Sequence, residues 1–273
     1  MLRFRWAAIC IADFPLDAEK TLHIQFNYGG TYNMNRKANI FHRLTAAMLT
    51  LALLLAGCAL AEETVPAIPE AFAELYAQNP HVVGTLEMDP DISLPVVQWD
   101  NSFYMDHDFE GNEDVGGTLF VDSRNSLDPQ DDHIIIYGHN MKDGSMFGSL
   151  NNYRNVGFLR ATACIQFNTI YGDAQYVPFA LFDASMTKGD PDYFKLIRLN
   201  FSDEQPFDAF LEEAQSRSLF NIPVDVNEDD QLLSLVTCSY SMDNGRFIIL
   251  CRKLRADETP EQMAELIQKS SSK

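Results

Sequence analysis

Eight short segments rich in Val, Ile, Leu, Phe and Tyr punctuate the chain at 81–87, 94–99, 117–122, 133–138, 158–169, 175–186, 231–237 and 246–254. Clusters of Asp, Asn, Gly and Pro separate them. That rhythm argues for a mainly β protein, closed or sandwiched, rather than alternating βαβ units. With 273 residues and 46% apolar content, the chain can bury one sizeable core and does not demand a second.

Three helices are expected, one leading into the strands, one interrupting them and one at the carboxyl end. A short one is expected before the first strand, where Phe72, Leu75, Tyr76 and Asn79 fall at helical spacing and Pro69 suits the early turn. A second is expected over 203–216, with Ser202 and Gln205 at capping-box spacing and an apolar stripe of Phe207, Phe210, Leu211 and Ala214. The third starts at Thr259, Pro260 and Gln262 and presents Met263, Leu266 and Ile267 on one side.

The amino end reads as an export leader. Arg36, Lys37 and Arg43 precede an apolar run from Ala46 to Ala56 that holds no charged residue and one Thr, Thr50, and a start at Met34 would make the basic region compact. Residues 1–33 are therefore expected to lie outside the native product, 34–61 to form the leader or anchor, and 62–273 the exported domain. The tetrapeptide at 55–58, ending in Cys58, is similar to the lipobox of bacterial lipoproteins, in which the Cys is acylated. Ala59-Leu60-Ala61 also suits an ordinary signal peptidase, and the 18 residues from Leu44 to Ala61 are long enough for an uncleaved anchor. All three readings place the folded part outside the cytoplasmic membrane.

Charge narrows the partners. The formal net charge is −19, and from Glu62 onward 14 basic side chains face 36 acidic ones. Such a surface repels phosphate backbones, and no basic patch offsets it, so no nucleic-acid partner is expected. No CxxC or His-rich spacing suggests zinc, and no cofactor is expected.

Beyond the leader the thiols are Cys164, Cys238 and Cys251, an odd number unlike a disulfide scaffold. Cys164 and Cys251 sit inside apolar strand patterns and read as small core residues. Cys238 instead ends an apolar strand. Asn244-Gly245 forms a favoured turn pair after it, and Arg246 opens the next strand, so a tight hairpin could bring Cys238 and Arg246 together. Of the histidines in the exported part, His139 directly follows the strand ending at Gly138, where a polar loop begins.

Taken jointly, these segments resemble the sortases, and within them class B. The run YGHNMKDGSMFGSL at 137–150 is similar to the class B His segment, and Thr237-Cys238-Ser239-Tyr240 with Arg246 to its Cys and Arg segments. Further similarity lies at 79–84, 94–99 and 104–122, so the resemblance covers about residues 67–255. It implies an eight-stranded sortase-like β-barrel with a short N-terminal helix, one helix between late strands and a C-terminal helix. It also implies a cysteine transpeptidase with Cys238 as nucleophile, His139 as acid/base and Arg246 as the cation near the oxyanion. The donor would be the sorting-signal peptide of a surface protein, cut after Thr, and the acceptor a cell-wall precursor amine or a pilin lysine. The setting implied is the outer face of a Gram-positive cytoplasmic membrane, with tethering by the leader or by lipid on Cys58. Two departures stand out. Cys58 replaces a plain membrane anchor, and Ser239 occupies the position where some members carry an acidic residue.

The chemistry is coherent on its own terms. An ordinary Cys, with a pKa of about 8.5, is only slightly ionised at neutral pH, so a neighbouring imidazole that shares its proton matters. The competing readings are another cell-wall thiol hydrolase or transpeptidase, such as the L,D-transpeptidases, and a noncatalytic surface-binding lipoprotein. The former place His and Gly close before the Cys, unlike Val236-Thr237-Cys238 here.

Overall fold

The computed structural model describes residues 68–88, 90, 92–202 and 206–273. The leader segments 1–33 and 34–61, including Cys58, fall outside these residues. Among the described residues there are ten strands: β1 (Val82–Met88), β2 (Ile92–Val97), β3 (Leu119–Val121), β4 (His133–Tyr137), β5 (Ile165–Thr169), β6 (Gly172–Ser185), β7 (Phe220–Asn221), β8 (Leu232–Ser239), β9 (Gly245–Lys253) and β10 (Ser271–Ser272). The helices are α1 (Ala73–Gln78), α2 (Val156–Ala161), α3 (Phe207–Arg217) and α4 (Pro260–Ile267).

Eight strands close into a barrel in the order β1-β2-β3-β4-β8-β9-β6-β5. Six of its pairings, including the β1–β5 closure, are antiparallel, whereas β2–β3 and β4–β8 run parallel. The expected mainly β barrel is thus the observed one. Strand β8 is buried along Leu232–Thr237, where Leu232, Leu233, Leu235 and Val236 are apolar and Ser234 and Thr237 are buried polar residues. Continuous burial follows because one face fills the barrel and the other is covered, which removes the polar alternation of a half-exposed strand. Helix α3 packs on the barrel wall at β6, burying Phe207, Phe210 and Ala214, and the His133 ring at the start of β4 packs against Phe210.

The carboxyl end is fastened by charge. Arg252 on β9 is fully buried and forks onto Glu258 at 2.5 and 2.6 Å while donating to the Asp225 carbonyl at 2.7 Å. Helix α4 then starts where the sequence predicts, and its start is a reciprocal capping box between Thr259 and Gln262.

Two expectations need correction. The segment 158–169 is not one strand, because Val156–Ala161 is helical and only Ile165–Thr169 pairs. The Asn155 side chain accepts a hydrogen bond from the Gly157 amide and starts this turn, and a short apolar run looks alike in a helix or a strand. Helix α3 does not start from a Ser202 cap: it begins at Phe207 with Pro206 at the N-cap position and no side-chain cap, and Gln205 lies outside the described residues. The serine-rich tail contributes β10, paired with β7. Among the described residues no helix is long and apolar enough to cross a membrane.

Candidate active site

Strand register alone brings three distant residues to one rim of the barrel. Strands β4 and β8 run parallel with Tyr137 beside Val236, so the next positions along each chain, Gly138 with Thr237 and His139 with Cys238, emerge at the same level. Two hydrogen bonds extend the pairing past the strand end: the Gly138 amide donates to the Val236 carbonyl at 3.1 Å, and the Thr237 hydroxyl to the Gly138 carbonyl at 2.8 Å. Across the antiparallel β8–β9 pair, Cys238 is directly opposite Arg246, a relation that places Cβ atoms about 4.5–5.5 Å apart. The hairpin closes through Asn244, whose φ of 50° lies in the left-handed region that Asn tolerates.

His139, Cys238 and Arg246 all line one cavity of about 220 Å³. Its other walls are Asn101, Met105, Thr118, Phe120, Tyr137, Gly138, Val236 and Thr237. His139 Nε2 lies 2.5 Å from the Met105 carbonyl. A carbonyl only accepts, so Nε2 carries a proton, and in the neutral ring Nδ1 is the nitrogen able to take one. Gly138 permits this crowding: a Cβ there would stand 2.4 Å from Leu119 Cδ2 and 2.8 Å from the Phe147 ring.

The cavity floor is tied to a buried carboxylate. Tyr137 donates from its hydroxyl to Asp122 at 2.9 Å, Asn101 donates to the same carboxylate at 3.3 Å, and Arg124 pairs with it at 2.6 Å. Burial pushes the Tyr137 phenol far up, with the Asp122 charge adding to it, so the phenol stays a neutral donor. For Asp122, burial opposes ionisation, but the bonds from Arg124, Tyr137 and Asn101 outweigh it and hold the carboxyl below its ordinary range.

The remaining thiols behave differently. Cys164, Cys238 and Cys251 are all free. Burial pushes the Cys251 thiol well up, and burial with the nearby Glu261 charge raises that of Cys164, which makes both poor sources of thiolate. Other histidines are engaged elsewhere: His81 stacks on Trp99, His107 stacks on Phe103 and pairs with Asp106, and His133 is buried beneath Ser234 and the Arg198 carbonyl. Sequence reasoning named three candidate side chains that the structure brings to this cavity, but not its walls. Asn101, Met105 and Thr118 come from the β2–β3 region, and nothing in their local pattern marks them.

No family model matches the chain. It is 30% identical to sortase B of Listeria monocytogenes over 186 residues, spanning 67% of this chain and 73% of that protein. It is equally 30% identical to sortase B of Staphylococcus aureus over 188 residues, 67% of this chain and 75% of that one. Among solved structures, Clostridium perfringens sortase B superposes with a TM-score of 0.60 at 29% identity, covering 67% of this chain and 98% of that one. The Staphylococcus aureus sortase B–substrate complex gives 0.62 at 26% identity, with 80% and 99% covered. Sequence kinship of this extent, together with the closed eight-stranded barrel, makes the chain a member of the class B sortase family.

Proposed function

We propose that this sortase cleaves the sorting-signal peptide of a surface protein after Thr and transfers the acyl fragment to a cell-wall or pilin amine, with Cys238, His139 and Arg246 as the reacting groups. The observation that carries this reading is that one cavity is lined by a thiol, an imidazole and a guanidinium from three separate segments. The Cys238 sulfur, its proton passed to His139, attacks the Thr carbonyl carbon. Negative charge develops on the carbonyl oxygen, and Arg246, across the hairpin, is the cation suited to meet it. The C–N bond then breaks, the imidazolium protonates the departing amine, and a thioester remains on Cys238. An incoming amine attacks the thioester, gives its proton to His139 and releases the sulfur; water in its place gives hydrolysis. Neutral Tyr137 and Asn101, held by Asp122, offer polar contacts along the peptide's path.

We place the enzyme at the outer face of the cytoplasmic membrane of a Gram-positive-type bacterium, tethered through 34–61 or by lipid on Cys58. A peptide-library cleavage assay on residues 62–273 with an added amine tests the reaction. A thioester-mass adduct confined to Cys238, together with ligated product, is the expected result. An adduct on Cys164 or Cys251, or reaction only with peptidoglycan stem peptides, would overturn it.

A further inference from the structure

Strand β4 ends at Tyr137, whose partner on β8 is Val236, and its pairing reaches only to Gly138 and Thr237, so beyond them the sheet no longer supports the β4-facing side of β8. Cys238 lies in that unsupported stretch. Its carbonyl is taken instead by a side chain: Asn140 Nδ2 donates to it at 2.7 Å. The other end of the same amide is also occupied, because Asn151 Nδ2 donates to Asn140 Oδ1 at 2.8 Å and to the Gly148 carbonyl at 3.0 Å. Arg154 Nε then donates to Asn151 Oδ1 at 3.3 Å, and its two terminal nitrogens fork onto Asp183 at 2.6 and 2.7 Å. The guanidinium lies 4.0 Å over the Phe247 ring, and Phe247 is the cross-strand partner of Asp183.

The run of contacts therefore meets the neighbourhood of each reacting group once. Asn140 follows His139, the bonded carbonyl belongs to Cys238 itself, and Phe247 follows Arg246. We infer that Asn140, Asn151, Arg154 and Asp183 form a positioning brace that takes over from the β4–β8 ladder and sets the Cys238 sulfur against His139 and Arg246. An amide suits position 140 because it donates and accepts at once; a carboxylate or an aliphatic side chain could not hold both neighbours. None of the four need touch the peptide. They act through the orientation of groups that do, where a displacement of about 1 Å can cost on the order of 100-fold in rate.

The inference rests on the proposed roles of Cys238 and His139, so its test uses two independent readouts. The first is kcat and KM for a sorting peptide; the second is the pH profile of Cys238 alkylation by iodoacetamide, which needs no peptide. Asn140→Ala is expected to lower kcat about 10- to 100-fold with KM changed less than about twofold. Its alkylation profile should move in the direction produced by His139→Ala. Arg154→Lys, which keeps the charge beside Asp183 but loses the fork, should show a smaller change of the same kind and guards against a misfolded Asn140 variant. Asn140→Ala/Asn151→Ala should be no worse than Asn140→Ala alone, because both act through one contact. Unchanged kcat and alkylation profile in Asn140→Ala and Arg154→Lys would overturn the brace. So would losses that merely track the folded fraction. Absence of peptide transfer in the unmodified protein would remove the proposed reaction, while the alkylation profile would still decide the brace.

Discussion

Cys238 and Arg246 oppose each other as register partners across β8 and β9, and the Arg246 guanidinium is steadied by donating to the Gly245 carbonyl at 2.9 Å. If its task is to meet the developing oxyanion, the planar fork matters as well as the charge. Arg246→Lys is expected to lower kcat/KM by about 100-fold, within the range found for loss of one oxyanion donor. Circular dichroism should show the fold retained. A variant with full activity would remove Arg246 from the chemistry.

Gly138 is the point where close packing and reactivity meet. A methyl group there would run into Leu119 and the Phe147 ring, and Phe147 is itself pinned by its amide to the His139 carbonyl at 2.9 Å. Gly138→Ala should cost about 1–3 kcal/mol by overpacking and depress activity further by displacing His139. Urea unfolding alongside steady-state kinetics measures the two effects separately.

His133 makes stability depend on pH. It donates from Nδ1 to the Arg198 carbonyl at 2.9 Å and accepts from the Ser234 hydroxyl at 2.6 Å. Burial pulls its pKa down to about 4, against an ordinary 6.5. Between those values the unfolded chain binds a proton that the folded one refuses, so stability is full above about 6.5 and declines as pH falls toward 4. The loss between pH 7.5 and 5 should be about 2 kcal/mol. His133→Gln, measured by urea unfolding at both pH values, should lose that much less over the interval.

Arg252 and Glu258 hold the carboxyl-terminal segment to the barrel. Because Arg252 is fully buried, Arg252→Ala leaves the Glu258 carboxylate without its main partner and should destabilise by about 3–5 kcal/mol. Chemical denaturation gives the number. Replacing the pair together should cost less than either single change, since no lone charge then remains.

The strand rhythm, the helix start at Thr259, Pro260 and Gln262 and the apolar stripe of α3 were legible because each is written within a few consecutive residues. So were the three candidate side chains that share the cavity: His139 and Cys238 each stand where an apolar strand gives way to a loop, and Asn244-Gly245 announces the hairpin that turns back to Arg246. Where the local signal was ambiguous the reading went astray. The apolar run around Phe158 and Leu159 suited a strand, yet the Asn155 cap makes it a helical turn. Ser202 offered a cap that α3 does not use.

What the sequence by itself determined is the inventory: which segments extend, which coil, and which side chains can exchange protons or carry charge. Only the tertiary structure decided that His139 and Cys238, nearly a hundred residues apart, line one cavity, because that depends on β4 and β8 pairing in parallel at a particular register. The same closure chose Asn101, Met105, Thr118 and Tyr137 as cavity walls and laid Asn140 against the Cys238 carbonyl. Periodicity and caps are local properties of the backbone. Register between distant strands is set when the whole barrel closes on its core, since a slip of one residue would turn every buried side chain outward.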